Sequence, residues 1–220
     1  GSDFDLSING LSGNSVRYFI DGIPLDSKGS NVTLANLPVN LIDRMEIYKG
    51  VVPASLGTDA LGGAVNIITL AEKKNFMDAS YSIGSFHTHR ADLNAQFVEQ
   101  CTGLIVRPTI GINYSKNDYR MKDVQMRNET GDQFIYGNPK RFHDGYFSLL
   151  AQIETGITGK LWADEFFVSA SYSKTDKELQ TGSVQTKVYG MAERNSDAWN
   201  VSARYNKHNF ITEGMTLKAT

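Results

Sequence analysis

Two different periodicities divide the chain near residue 72. From Asp3 to about Leu70 the apolar runs are short and mixed, and Gly, Asn, Asp and Pro separate them, which is the pattern of a compact α+β unit. Val16 to Ile20 reads as a strand ending in the turn Asp21-Gly22-Ile23-Pro24, because Asp-Gly supplies the positive φ that a tight reversal needs. A short helix interrupted by Pro38 is expected over 33–41, and a strand over 45–48 closed by Gly50. Val65 to Ile68 is almost continuously apolar, as in a strand buried on both faces.

After Lys73-Lys74 the pattern turns to strict alternation. Ala91, Leu93, Ala95 and Phe97 interleave with Arg90, Asp92, Asn94 and Gln96, giving one apolar and one polar face at period two. The same division recurs with Ile110, Ile112 and Tyr114 against Thr109, Asn113 and Ser115, and with Phe147, Leu149, Ala151 and Ile153 against Ser148, Gln152 and Glu154. It continues with Phe166, Val168, Ala170 and Tyr172 against serines, and with Trp199, Val201, Ala203 and Tyr205 against Asn200, Ser202, Arg204 and Asn206. With 79–83 and 215–219, about seven antiparallel strands are expected.

Alternation alone suits any antiparallel sheet with one wet face, including a soluble sandwich or a lipocalin-like barrel. Three features favour a transmembrane barrel. Aromatic residues fall near the ends of the apolar stripes, as interfacial girdles do. Arg90, Asp92, Glu154 and Arg204 lie on the polar faces, where a dry core would penalise them and a wet lumen would not. Connections also alternate in length: 99–103, 156–160 and 207–214 are short, whereas 116–141 and 174–197 are long, matching short inner turns and long outer loops.

Composition removes several classes of function. The 22 basic and 24 acidic residues leave a net charge of −2, which supplies no field for nucleic acid. The single cysteine, Cys101, forms no internal disulfide, and no Cys/His grouping has zinc-site spacing, so no cofactor is expected. No run approaches the roughly 18 apolar residues of a membrane helix, a scan that says nothing about strands. Gly1-Ser2 resembles an expression scar, which puts the natural start and any export signal upstream. No Gly-x-Ser-x-Gly elbow, phosphate-cradling Gly-x4-Gly-Lys or His-Glu-x-x-His helix occurs, so enzymatic activity is not expected.

At the change of period the sequence reads Leu41-Ile42-Asp43-Arg44-Met45-Glu46-Ile47-Tyr48-Lys49-Gly50, then Pro53-Ala54-Ser55-Leu56-Gly57-Thr58-Asp59-Ala60-Leu61-Gly62-Gly63-Ala64-Val65-Asn66-Ile67-Ile68-Thr69. This stretch closely resembles the plug of TonB-dependent receptors. Phe19-Ile20-Asp21-Gly22-Ile23-Pro24-Leu25 resembles a second segment of that family, in the right order and at the usual distance. The resemblance covers roughly residues 5 to 75 at motif level, with Asp21, Gly22, Gly57, Gly62, Gly63 and Asn66 as its plug-motif positions. It implies a mainly β fold: the C-terminal portion of an α+β plug over 3–72, then the first strands, over 73–220, of a roughly 22-stranded antiparallel outer-membrane barrel. It also implies location in the outer membrane of a Gram-negative bacterium and active uptake of an iron-siderophore, cobalamin, haem, glycan or peptide. The implied partners are an external nutrient, outer-membrane lipid, in some members a surface lipoprotein, and the TonB complex acting through a box expected outside this sequence. A structural or adhesive barrel is the alternative.

Arg44 and Glu46 lie two apart on an expected strand and therefore on one face. By resemblance they are ion-pairing contacts between plug and barrel; otherwise they are a solvated surface pair of little energetic weight. His87 and His89 also share a face near an expected outer hairpin, read either as a metal pair or as a polar loop tip. In the first long loop, Tyr119, Arg120, Tyr136 and Arg141, with Phe134 and Lys140 nearby, are candidate contacts for an external ligand.

Overall fold

Short apolar segments bounded by turn residues build one small sheet, and long alternating segments build one large sheet. The computed structural model describes residues 8, 10, 15–25, 37, 42–53, 56, 62–69, 74–181 and 186–219. Every element with described bounds is a strand. The helix expected over 33–41 lies outside the described residues except for Leu37, as does Gly57.

The small sheet holds β1 (Val16–Ile20), β2 (Ile23–Pro24), β3 (Ile42–Tyr48) and β4 (Gly63–Thr69) in the order β2-β1-β4-β3. Asp21 and Gly22 take φ of 51° and 81°, the double left-handed turn that folds β2 back onto β1. Strand β4 runs parallel to β1 and antiparallel to β3. Its central residues Ala64, Val65 and Ile67 are fully buried, which accounts for its unbroken apolar run. Gly63 sits at φ 131°, and a Cβ there would collide with the Tyr48 carbonyl oxygen, so close backbone packing requires glycine.

The large sheet contains β5 (Phe76–Gly84), β6 (Thr88–Glu99), β7 (Leu104–Ser115), β10 (Tyr146–Thr158), β11 (Glu165–Thr181), β12 (Val188–His208) and β13 (Thr216–Ala219). These seven strands, at the seven expected places, follow a simple up-and-down order, and every pairing is antiparallel. A separate hairpin, β8 (Val124–Arg127) with β9 (Phe134–Gly137), stands within the first long connection.

Burial in the large sheet is inverted relative to a water-soluble protein. Its polar face is the covered one: Gln96 is 0% and Asn94 2% exposed. The apolar face is open, with Trp199 77%, Val201 72% and Ile153 52% exposed. Covered polar groups avoid a desolvation penalty by pairing. Thr109 Oγ1 donates to Asn94 Oδ1 at 3.1 Å, Arg107 Nε to Gln96 Oε1 at 2.6 Å, and Ser169 and Ser202 hydroxyls meet at 2.8 Å. Aromatic groups flank the apolar band. Tyr81, His89 and Tyr114 stack in a row toward one end, with centroids 6.2 and 6.3 Å apart, and Trp162 meets Phe166 at 5.7 Å at the other.

One expected connection is corrected. The segment 174–197 was expected to be a long loop, but β11 continues to Thr181 and β12 begins at Val188, with Lys174 registered on Asp197 and Lys177 on Arg194. Beyond the apolar band both faces of this hairpin are wet, so the alternation fades while the backbone ladder persists.

Candidate functional site

Among the described residues, the small sheet, with Leu37 beside it, docks on the polar face of the large one through an apolar contact, an ionic one and a hydrogen bond donated by Arg90 Nη2 to the Leu37 carbonyl at 2.6 Å. The apolar contact is Leu150, which breaks the alternation of β10 because Leu149 already occupies the outward position. Leu150 points inward, is buried, and packs with Ile20, Leu25, Leu37 and Ile67.

The ionic contact begins in the Asp21-Gly22 turn. Backbone N–H groups hold this turn in place: Asp21 N donates to Ile67 O at 2.9 Å and Gly22 N to Asn66 Oδ1 at 3.0 Å. The Asp21 carboxylate accepts from Thr69 N at 3.0 Å and Thr69 Oγ1 at 2.7 Å. Across the gap, Arg204 Nη1 of β12 lies 3.4 Å from Asp21 Oδ2 and its Nη2 lies 3.7 Å from Glu154 Oε1. Glu154 is bound more closely by Arg107, at 2.9 Å. Both guanidiniums lie over the Phe167 ring, with centroid distances of 5.0 Å for Arg107 and 5.2 Å for Arg204. All four charged side chains are at most one-fifth exposed, so solvent screens them less than it would a surface pair. Asp21, Arg204, Glu154 and Arg107 thus form an alternating chain of charge running from the small sheet into the wall.

A cavity of about 580 Å³ opens beside this chain. Its lining includes Asp21, Glu46 and Asn66 from the small sheet and Arg107, Phe167 and Arg204 from the wall. It lies toward the end of the sheet that carries the short turns.

The other expected site residues divide. Asp21, Gly22 and Asn66 meet in one hydrogen-bonded junction, and Gly62 N donates to Ser15 O at 2.8 Å. Arg44 pairs with Glu46 at 3.0 Å and with Asp43 at 3.1 Å and is well exposed. Its guanidinium therefore bonds within its own strand, whereas Glu46 reaches the cavity. Tyr48 donates to Glu46 at 2.9 Å, and that hydroxyl, then Arg44, holds the Glu46 carboxyl below the usual carboxylate range.

His87 and His89 do not converge. His87 faces Asp118 at 3.4 Å, a carboxylate neighbour the sequence did not reveal, and His89 Nδ1 is 2.7 Å from the Tyr81 hydroxyl. No group of three potential metal ligands occurs among the described residues. In the long loop, Arg141 is buried in structural contacts: Asp144 at 2.8 Å, Thr181 at 3.2 Å, and the Tyr119 ring at 5.5 Å. Tyr136 is exposed on the β8-β9 hairpin, and Arg120 bridges to Lys140 at its base. Sequence patterning missed Arg107 and Leu150. The double leucine was the available signal for Leu150, whereas the partners of Arg107 are distant in the chain.

Comparison with known proteins follows this architecture. Residues 1–64 match the family described as the TonB-dependent receptor plug domain. Over its full length the chain is 23% identical to the vitamin B12 transporter BtuB of Vibrio vulnificus strain CMCP6, and it spans 40% of that relative. The pyoverdine outer membrane receptor FpvA of Pseudomonas aeruginosa PAO1 superposes with a TM-score of 0.64 at 14% identity, over 97% of this chain and 30% of that one. The FrpB iron transporter of Neisseria meningitidis gives 0.59 at 20% identity, over 97% and 33%. These structural likenesses establish the fold.

Proposed function

Because the chain belongs to the TonB-dependent receptors, as the end of a plug followed by barrel strands, we propose that the whole protein is an outer-membrane importer of a scarce nutrient in a Gram-negative bacterium. Residues 3–72 act as plug and 73–220 as barrel wall. A TonB-type complex of the inner membrane pulls the plug to admit the cargo. The cargo is a metal-bearing chelate of the siderophore or cobalamin kind. Relatives named for vitamin B12 and for pyoverdine support that class, ahead of haem, glycan or peptide. Exposed Arg120 and Tyr136 are the ligand contacts, with Tyr119 and Arg141 holding the loop beneath them. Glu46, which reaches the cavity and is held by Arg44, is the charged partner for the barrel, and a surface lipoprotein is a further partner.

The observation that carries this reading is the small sheet seated on the wet face of an inside-out wall, fixed at Leu150 and Arg204. Such a seat holds a movable body without a continuous apolar interface. The test uses the full-length receptor in a Cys101→Ser background, with Ile20→Cys and Leu150→Cys joined by a short thiol crosslinker. Locking should abolish energised uptake of radiolabelled cobalamin or ferric chelate while leaving its binding to cells intact. Undiminished uptake through a fully crosslinked receptor would refute plug displacement.

A further inference from the structure

Arg204 is poorly satisfied for a covered charge at the junction. A guanidinium offers five N–H donors in a planar fork. Arg107 uses its fork closely, on Gln96 at 2.6 Å and Glu154 at 2.9 Å. Arg204 reaches its two carboxylates only at 3.4 and 3.7 Å, and its Nε is buried with no hydrogen-bond partner. Two residues along the same face of β12, Asn206 Oδ1 is likewise buried without a partner. Both residues line the 580 Å³ cavity, and Lys218 adds another cation to its lining. A volume of this size is ample for a small solute. Of the acids at the cavity, Asp21 is engaged by Thr69 and Glu46 by Arg44 and Tyr48, and Glu154 beside it by Arg107, while Glu165 joins the lining from the first position of β11.

We propose that this cavity is a binding site for a small oxyanion of the phosphate class. The anion enters from the short-turn side, and Arg204 binds it with the turned-over amide of Asn206 as a second donor. Paired oxygens suit the guanidinium fork better than the distant carboxylates do. A bound anion competes with Asp21 for Arg204. Asp21 can release the arginine cheaply, since it keeps both hydrogen bonds from Thr69. Occupancy therefore weakens the hold of the wall on the small sheet. The binding site rests on the cavity alone, while its effect on release rests on the plug reading.

The probe is inorganic phosphate on purified full-length receptor in detergent, compared with chloride at equal ionic strength. Labelling of Arg204 by phenylglyoxal is followed by peptide mass spectrometry. At a phosphate concentration about twice the dissociation constant, labelling should slow about threefold. Asp21→Asn should shift protection to lower phosphate, because the competitor has lost its charge. Asn206→Leu should abolish protection. Equal labelling in phosphate and chloride, or undiminished protection in Asn206→Leu, overturns the site. Hydrogen exchange of residues 63–69 is the separate readout for release. Protection of Arg204 without faster exchange there would leave the site standing and refute its coupling to the plug.

Discussion

Replacing Ile153 with arginine tests which side of the large sheet faces lipid. From Phe147 to Ile157, the outward residues of β10 climb about 33 Å along the strand at roughly 3.3 Å per residue. At a tilt of about 40° this is about 25 Å along the membrane normal, the height of a barrel's apolar band. Ile153 is about 2–3 Å from its middle on the same scale, and it is 52% exposed in the isolated protein. An arginine at mid-depth costs about 2–4 kcal/mol, whereas one near the interface costs about 0–1. Ile153→Arg should therefore lower the folded-to-unfolded ratio about 30- to 1,000-fold, and Ile157→Arg, four positions toward the girdle, by far less. The assay is urea titration of the full-length receptor refolded into lipid vesicles, followed by tryptophan fluorescence. If that face met water instead, an already exposed isoleucine would accept arginine within about 0.5 kcal/mol. Equal tolerance at both positions would refute the proposed facing.

Three further outcomes follow from the contacts described. Leu150→Ala removes the apolar seat, at a cost of about 2–3 kcal/mol for a buried leucine. Hydrogen exchange in β1 and β4 should accelerate by about 30- to 150-fold if the small sheet opens as a unit, with β6 and β7 unchanged. Gly63→Ala places a methyl group against the Tyr48 carbonyl and should separate β3 from β4, read as increased entry of a large antibiotic into cells carrying the full-length receptor. At the outer end, a hydrogen bond from Lys140, then one from His87, holds the Asp118 carboxyl below the ordinary value of 3.8. Folded Asp118 therefore binds its proton less readily than unfolded Asp118, so its tie to Lys140 is present above the usual carboxylate range and is lost as pH falls through the lowered value. Spin labels on Phe86→Cys and Lys122→Cys, in a Cys101→Ser background, should show the turn and loop moving apart only at pH values under the ordinary 3.8, where Asp118 takes up its proton and loses both His87 and Lys140, and already apart at neutral pH in Asp118→Asn.

The seven wall strands were legible because a membrane band imposes period two on whatever crosses it, and side chains such as Leu93 and Asp92 have no choice of face. The small sheet was legible through its turn chemistry, above all Asp21-Gly22. The long β11-β12 hairpin was not, since above the band Lys174, Asp176 and Asn195 face water on one side and other polar residues on the other. Hairpin β8-β9 was too short to stand out from its loop. The junction at Arg204 was illegible for another reason. Its partners Asp21 and Glu154 lie far away in sequence, and periodicity assigns a face to a residue without naming the neighbour across the gap. Arg44 and Glu46 show the converse: their shared face was inferred, and they used it to pair with each other.

The hydroxyl-rich covered wall has a mechanical consequence. Ser148, Ser169, Ser171 and Ser173 are all buried on the polar face, and a hydroxyl rotates to bond whichever neighbour is present, as Ser169 and Ser202 already do. A body sliding past such a surface exchanges one weak partner for another at each step, so friction stays low along the path. Among the described residues, adhesion is concentrated at three points, the Leu150 seat, the Arg204–Asp21 pair and the bond from Arg90 to the Leu37 carbonyl. On the plug reading proposed above, detachment proceeds by breaking these few contacts in succession, and the peak force is set by the strongest of them and not by the area covered.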